Sequence, residues 1–459
     1  MLTPKGFAVA AFFLGAASAN SQEVPRNCDL EFPTGTNTQA RQVEVAPGSY
    51  VVYLGRGVRA YCIGQGNNLT ADSAEYYQSQ GRLYLVGNVR YTEPRATVTS
   101  NTMTYYQGDN HLHAEGNVVA VMSNGSVLRG PSADFYRTTP TRPLQRLFAP
   151  GRPNVTLVQK DTTGRGRPPD TAHVVANTIT MDGDSLVYAA GRVQITRPDL
   201  QATGDSAFLD SGTDFARLMR EPQVQGKGQR QFTLTGEVID VFSRNRQVER
   251  VVATPKGHAL SQDLELVADS IDLRVQANQL QRAVAWGKTR ARAVSPDREI
   301  LADSIDAIMP QQRIREVRAV RNAYAESNPD SGIVSTQRDW MRGDTIVAHF
   351  DSIAPGDTAS KPKIREIVAD GQARSFYQMK SSKGGPADKP SINYVTGRII
   401  DIIFEDRKVA TVTVTDQASG VMVEPVTAAA SAATAKPGTT PNQQQPKPAA
   451  TPPKPPIRK

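Results

Sequence analysis

Residues 82–91 read Arg82-Leu83-Tyr84-Leu85-Val86-Gly87-Asn88-Val89-Arg90-Tyr91. Leu83, Leu85, Val89 and Tyr91 are interleaved with Arg82, Tyr84, Asn88 and Arg90. Alternation with a period of two predicts a strand with two unlike faces. Gly87-Asn88 interrupts the run with residues that accept turn conformations which β-branched side chains resist. The same form returns at Leu112-His113-Ala114-Glu115-Gly116-Asn117-Val118.

Outward from this stretch, a second phrase recurs: a small residue followed by Asp, Asn or Glu, then an alternating run. It stands at Ala71-Asp72, Ser100-Asn101, Ala133-Asp134, Ala176-Asn177, Gly204-Asp205, Gly236-Glu237, Ala268-Asp269, Ala302-Asp303 and Gly343-Asp344. Weaker copies of the glycine phrase follow at Gly151, Gly191, Gly257, Gly287 and Gly371. Phe232 and Leu234 alternate with Gln231, Thr233 and Thr235, and Thr411 to Thr415 alternates cleanly. A unit of about 30 residues with two strands cannot close a core alone, so units must stack. The expected fold is all-β: an elongated repeat of two facing sheets, roughly ten units and on the order of 50 Å long. The wider gaps at 134–177 and 303–344, the stretch after Asp344 and Ser381 to Pro386 are expected loops. Strands are expected at Leu264 to Leu273 and through the Glu/Arg-rich stretch 312–321 despite mixed periodicity, with the last unit ending near Thr415.

The chain has 459 residues and a formal charge of +8. Residues 1–19 read as a removable secretory signal: Lys5, an apolar run from Phe7 to Leu14, then Ala17-Ser18-Ala19. Residues 427–459 hold Lys436, Lys447, Lys454, Arg458 and Lys459, many prolines and no acid. Such a segment predicts a disordered tail with polyproline character. The basic excess therefore belongs mostly to the ends, which argues against a nucleic-acid partner. Between them lie an N-terminal arm with first strands at 20–66 and the repeats at 67–426. No other apolar run is long enough for a helical membrane span.

Two cysteines exclude a disulfide-stapled scaffold and a multi-cysteine zinc module. In an oxidising compartment Cys28 and Cys62 are expected to pair, tying the arm to the first strands; two separate thiols are the alternative. The sequence carries no G-x-S-x-G, H-E-x-x-H, C-x-x-C or P-loop. His111 and His113 share a strand face with no evident third ligand, so no metal is expected. The recurring Asp residues lie too far apart for nonapeptide calcium turns and are expected to be structural.

From Leu69 to Val155 the chain resembles the OstA-like family, which includes LptA and the N-terminal domain of LptD. The resemblance rests on Leu69-Thr70-Ala71-Asp72-Ser73-Ala74, Leu83 to Val89 and Leu112 to Val118. It implies a β-jellyroll, or β-taco, whose apolar groove carries lipopolysaccharide acyl chains across the periplasm toward the outer membrane, without a cofactor and without catalysis. It also implies envelope lipid-transport partners joined end to end by strand pairing, or a homo-oligomer. Leu83, Leu85, Val89, Leu112, Val118, Phe232 and Leu234 are the expected lipid-lining residues. The same pattern fits a closed, side-chain-filled core equally well. The competing functions are a structural or adhesive solenoid and, more remotely, a carbohydrate-active β-helix enzyme. Arg82, Arg90 and Arg129 are read as a solvated face, with contact to lipid phosphates as the alternative.

Overall fold

Alternating side chains with Gly, Asn or Asp at fixed intervals leave the backbone one economical course: a strand, a bend, a second strand, then a reversal. In the computed structural model this is the whole architecture. It describes residues 28–33, 38–159, 170–227, 231–245, 247–261, 264–352, 362–381, 389–405 and 408–425. The expected signal and tail lie outside these residues. Every ladder is antiparallel, and neighbours in sequence are neighbours in space. Arg82–Glu93 pairs with Ala96–Tyr106, which pairs with His111–Met122, which pairs with Val127–Tyr136. In the second half Gln279–Ser295, Arg298–Ile308, Glu316–Ser327, Asp339–Phe350, Ile364–Met379 and Ser391–Glu405 follow in the same way. Two 3-10 turns, Gln78–Gln80 and Pro310–Gln312, are the helical structure among the described residues.

Each long strand serves two sheets, because its register shifts at mid-length: between Val86 and Val89, Thr99 and Thr102, Leu301 and Ser304, Asp370 and Ala373. These bulges bend the strands and stack into a spine that joins the facing sheets. The two sequence phrases meet there. Gly87 has φ +77°, and a Cβ on it would stand 2.3 Å from Asp72 Oδ2. Asn88, also at positive φ, donates from Nδ2 to Asp72 Oδ2 at 2.9 Å. Gly116 abuts Asn101, Gly191 abuts Asn177, Gly287 abuts Asp269 and Gly371 abuts Asp344 in the same manner. The repeated acid or amide thus fills the space left by the glycine of the next strand.

The expected strands at Leu264 to Leu273 and 312–321 appear as Glu265–Ala268, Ser270–Gln276 and Glu316–Ser327. The gap 134–177 is less irregular than expected, since it contains Arg146–Pro150, Asn154–Gln159 and Asp170–Val175. Strands also run past Thr415, to Ser419–Val423. Only Ser381 of the Ser381–Pro386 loop lies within the described residues.

Candidate functional site

The two halves of the interior are built from different side chains. Tyr91, Tyr105, Phe135, Leu69, Leu83, Leu85, Met103, Leu112, Leu128, Leu147, Ile179 and Met181 are the largest fully buried residues, and all precede residue 182. They fill the space between the sheets. Tyr91 packs on Phe135, and its hydroxyl donates to Glu93 Oε2 at 2.7 Å. Arg137 Nε reaches the same oxygen at 3.1 Å. Burial drives the Tyr91 phenol far above its ordinary pKa. Farther along, Arg197 and Asp199 pair at 3.0 Å. In the second half Ala293, Ala307, Ala325 and Ala348 line the interior beside larger side chains such as Ile305, Met341, Ile346 and Phe376. An apolar cavity of about 490 Å³ runs between the sheets from Phe232 to Phe404. That size is in the range of pockets that enclose a small organic ligand.

The cavity has two unlike margins on the side away from the spine. On the sheet containing Ile305, Val317, Ile346 and Ile402 the margin is apolar: Met309, Ile314, Phe350, Ile364 and Phe404. On the facing sheet one cross-strand row is polar. Arg298 stands opposite Ser327, and Ser327 opposite Asp339. Trp340 pairs with Phe376, which puts Tyr377 beside Asp339 at the end of this row. All four line the cavity. The next row toward the spine, Ile300, Ala325, Met341 and Ser375, is apolar except for one hydroxyl.

Asp339 is only 4% exposed. Its Oδ1 accepts the backbone N–H of Gln378 at 3.0 Å and the Gln378 side-chain amide at 3.2 Å. Burial pushes its carboxyl up to about 6, the two Gln378 bonds holding it from going higher. Burial, with Asp339 and Asp330 nearby, pushes the Tyr377 phenol up to about 12.

Of the residues read from sequence as lipid lining, Leu83, Leu85, Val89, Leu112 and Val118 are packed core and stand apart from the cavity. Leu234 is likewise fully buried, and Phe232 alone of the set borders the cavity. In the first half, large side chains from both sheets occupy the groove that alternation by itself leaves undetermined. Arg90 and Arg129 project outward from the exposed face, and Arg82 lies over the Tyr77 ring at 4.2 Å. Cys28 and Cys62 are joined as a disulfide with Cα atoms 5.0 Å apart. The two histidines share Asp134 Oδ1, at 2.8 Å from His111 and 2.7 Å from His113. Among the described residues no group of three or more His, Cys, Asp or Glu side chains is placed to hold a metal ion. The polar row was missed in the sequence. Its signal is the alanine phase around it: Ala291, Ala293, Ala323 and Ala373 mark the inward positions, and Asp339 and Ser375 fall in that phase.

These features define an all-β class of protein: antiparallel strands bent over a spine, with an apolar lumen between two sheets. Residues 68–247, less than half of the chain, match the family described as LptA/(LptD N-terminal domain) LPS transport protein. The cavity lies almost wholly beyond the matched segment. Among solved structures the chain is similar to LptH of Pseudomonas aeruginosa, described as the LptA-homologous periplasmic component of the lipopolysaccharide transport device. The likeness is 17% in identity over 41% of this chain and 82% of that one, with a TM-score of 0.13. No curated protein matches the chain.

Proposed function

We propose that this is an exported envelope protein that carries acyl lipid in its second-half cavity, with lipopolysaccharide as the cargo class the family description suggests. The observation that carries the reading is the apolar void in the second half, lined by side chains such as Ile300, Ile305, Met341 and Phe404, beside a first half filled with large side chains. Flexible acyl chains need apolar area more than directional bonds, and such a void offers it. The division is then functional: an arm to residue 66, a packed repeat that sets geometry and length, and a hollow repeat that holds cargo, the repeats together spanning 67–426. The secretory signal and the family resemblance support a periplasmic location. The role requires no cofactor and no bond-making step.

Partners are expected at the ends. Leu30–Glu31 and Gln39–Ala46 close one end, Lys408–Thr415 and Ser419–Val423 the other, each paired on one side only among the described residues. Val421, Met422 and Val423 are all exposed. Such edges accept a strand from another envelope protein or from a second copy. This also keeps a purely structural solenoid in play as the second reading.

A photocrosslinking residue at Ile300 or Met341, tested with purified full chain and lipopolysaccharide micelles, decides between them. Capture from these positions and none from Leu85 is expected. A folded protein that captures no lipid from either cavity position overturns the carrier reading.

A further inference from the structure

The cavity is amphipathic, and its polar groups differ in what they can still bind. Asp339 Oδ1 is occupied by Gln378, whereas Oδ2 takes no hydrogen bond among the described residues. Ser375 lies diagonal to Asp339 on the neighbouring strand, is 3% exposed, and its hydroxyl has no partner among the described residues. Both line the cavity. A polar group sealed into an apolar space costs free energy until something bonds to it. These two therefore face the lumen with bonding capacity unspent. The other charged groups lining the cavity are Arg298 at the outer end of the row, held by Asp297 at 3.5 Å, Glu326, held by Arg338 at 2.5 Å, and Lys363 beside Ile364.

Resting on the carrier reading above, we propose that Asp339 and Ser375 form the specificity site of the cavity. They select an amphiphile whose first polar group beyond the chain is an uncharged hydrogen-bond donor, a hydroxyl or amide N–H. The chain lies against the apolar margin and the row of Ile300, Ala325 and Met341, and the donor bonds to Asp339 Oδ2 while the Ser375 hydroxyl satisfies its acceptor side. A ligand carboxylate at the same depth meets the Asp339 carboxylate across a few ångströms of low-dielectric space and is repelled. An ester, which only accepts, leaves Oδ2 unpaired.

The test uses the full chain at pH 8 and displacement of a fluorescent apolar probe by three ligands of equal chain length: a sixteen-carbon alcohol, its carboxylate and its methyl ester. The alcohol should bind about tenfold more tightly than the other two, the value of one hydrogen bond to a charged group. Asp339→Asn keeps the acceptor for Gln378 but turns a donor toward the lumen, so the carboxylate should gain about tenfold and overtake the alcohol. Ser375→Ala should reduce the alcohol's advantage severalfold and leave the ester unchanged. An order of affinities that is the same in wild type and both variants overturns the assignment while leaving the carrier reading intact. Failure of all three ligands to displace the probe overturns both.

Discussion

Replacing Gly87 by alanine tests the spine most directly. The residue has φ +77°, so any Cβ there costs about 1–2 kcal/mol for the left-handed backbone. The new methyl would also stand 2.3 Å from Asp72 Oδ2, 2.9 Å from Cγ and 3.0 Å from Cβ. Rotating the carboxylate relieves the first contact but not the last, since Cβ is fixed to the backbone. It also breaks the 2.9 Å bond from Asn88, at a further cost of about 0.5–1.5 kcal/mol. Gly87→Ala should thus cost about 2–4 kcal/mol. Gly48 is the control: its φ is +76° and a Cβ there meets nothing within 4 Å, so Gly48→Ala should cost only the backbone term. Stacked repeats open in pieces, so the assay is amide exchange protection of Ser73–Tyr77 and Arg82–Glu93 rather than one global melt. Asp72→Ala should be nearly silent in the Gly87→Ala background, because the carboxylate has already lost its partner. If Gly87→Ala costs no more than Gly48→Ala, the acid-to-glycine contact is not what shapes the spine.

Asp339→Asn should also change stability with pH. Its carboxyl is held at about 6 in the fold against an ordinary 3.8, so ionisation penalises the folded state. The penalty is full above about pH 6 and gone below the ordinary value; the variant should gain at most about 3 kcal/mol at pH 8 and nothing near pH 4. Gln378 bonds to the group and Tyr377 lies beside it, and Trp340, one of two tryptophans, reports its surroundings in urea unfolding; equal gains at both pH values would refute the cause. Leu85→Ala in the filled half should cost about 2–5 kcal/mol, whereas Ala348→Leu, which lines the cavity, should cost little and reduce lipid loading in native mass spectrometry. Reducing Cys28–Cys62, a link spanning 34 residues, should cost about 3–4 kcal/mol and free Leu30–Glu31 from Val58–Cys62 in exchange mapping, with the cavity strands unaffected.

Much of this protein is written locally. Period-two alternation at Arg82 to Tyr91 and Thr411 to Thr415 forces strands, and Gly87-Asn88 or Gly116-Asn117 forces the bend, because few other residues tolerate those backbone angles. The spacing of acid and glycine phrases determined that units stack in order, since neither strand of a unit can bury its apolar face alone. Whether the interior is filled or hollow was not legible from the same pattern, because a binary code records polarity and not the sum of volumes between two sheets. Leu83 and Leu112 meet Tyr105 and Phe135 only through the ladder register, and Ile300, Ile305, Ala325 and Ala348 line a cavity only when both sheets present them together. Asp339 beside Ser375 depends likewise on the pairing of Asp339–Phe350 with Ile364–Met379. Local conformational preference follows from sequence neighbours; packing density and the company of a buried carboxylate follow from residues that only the tertiary structure brings into contact.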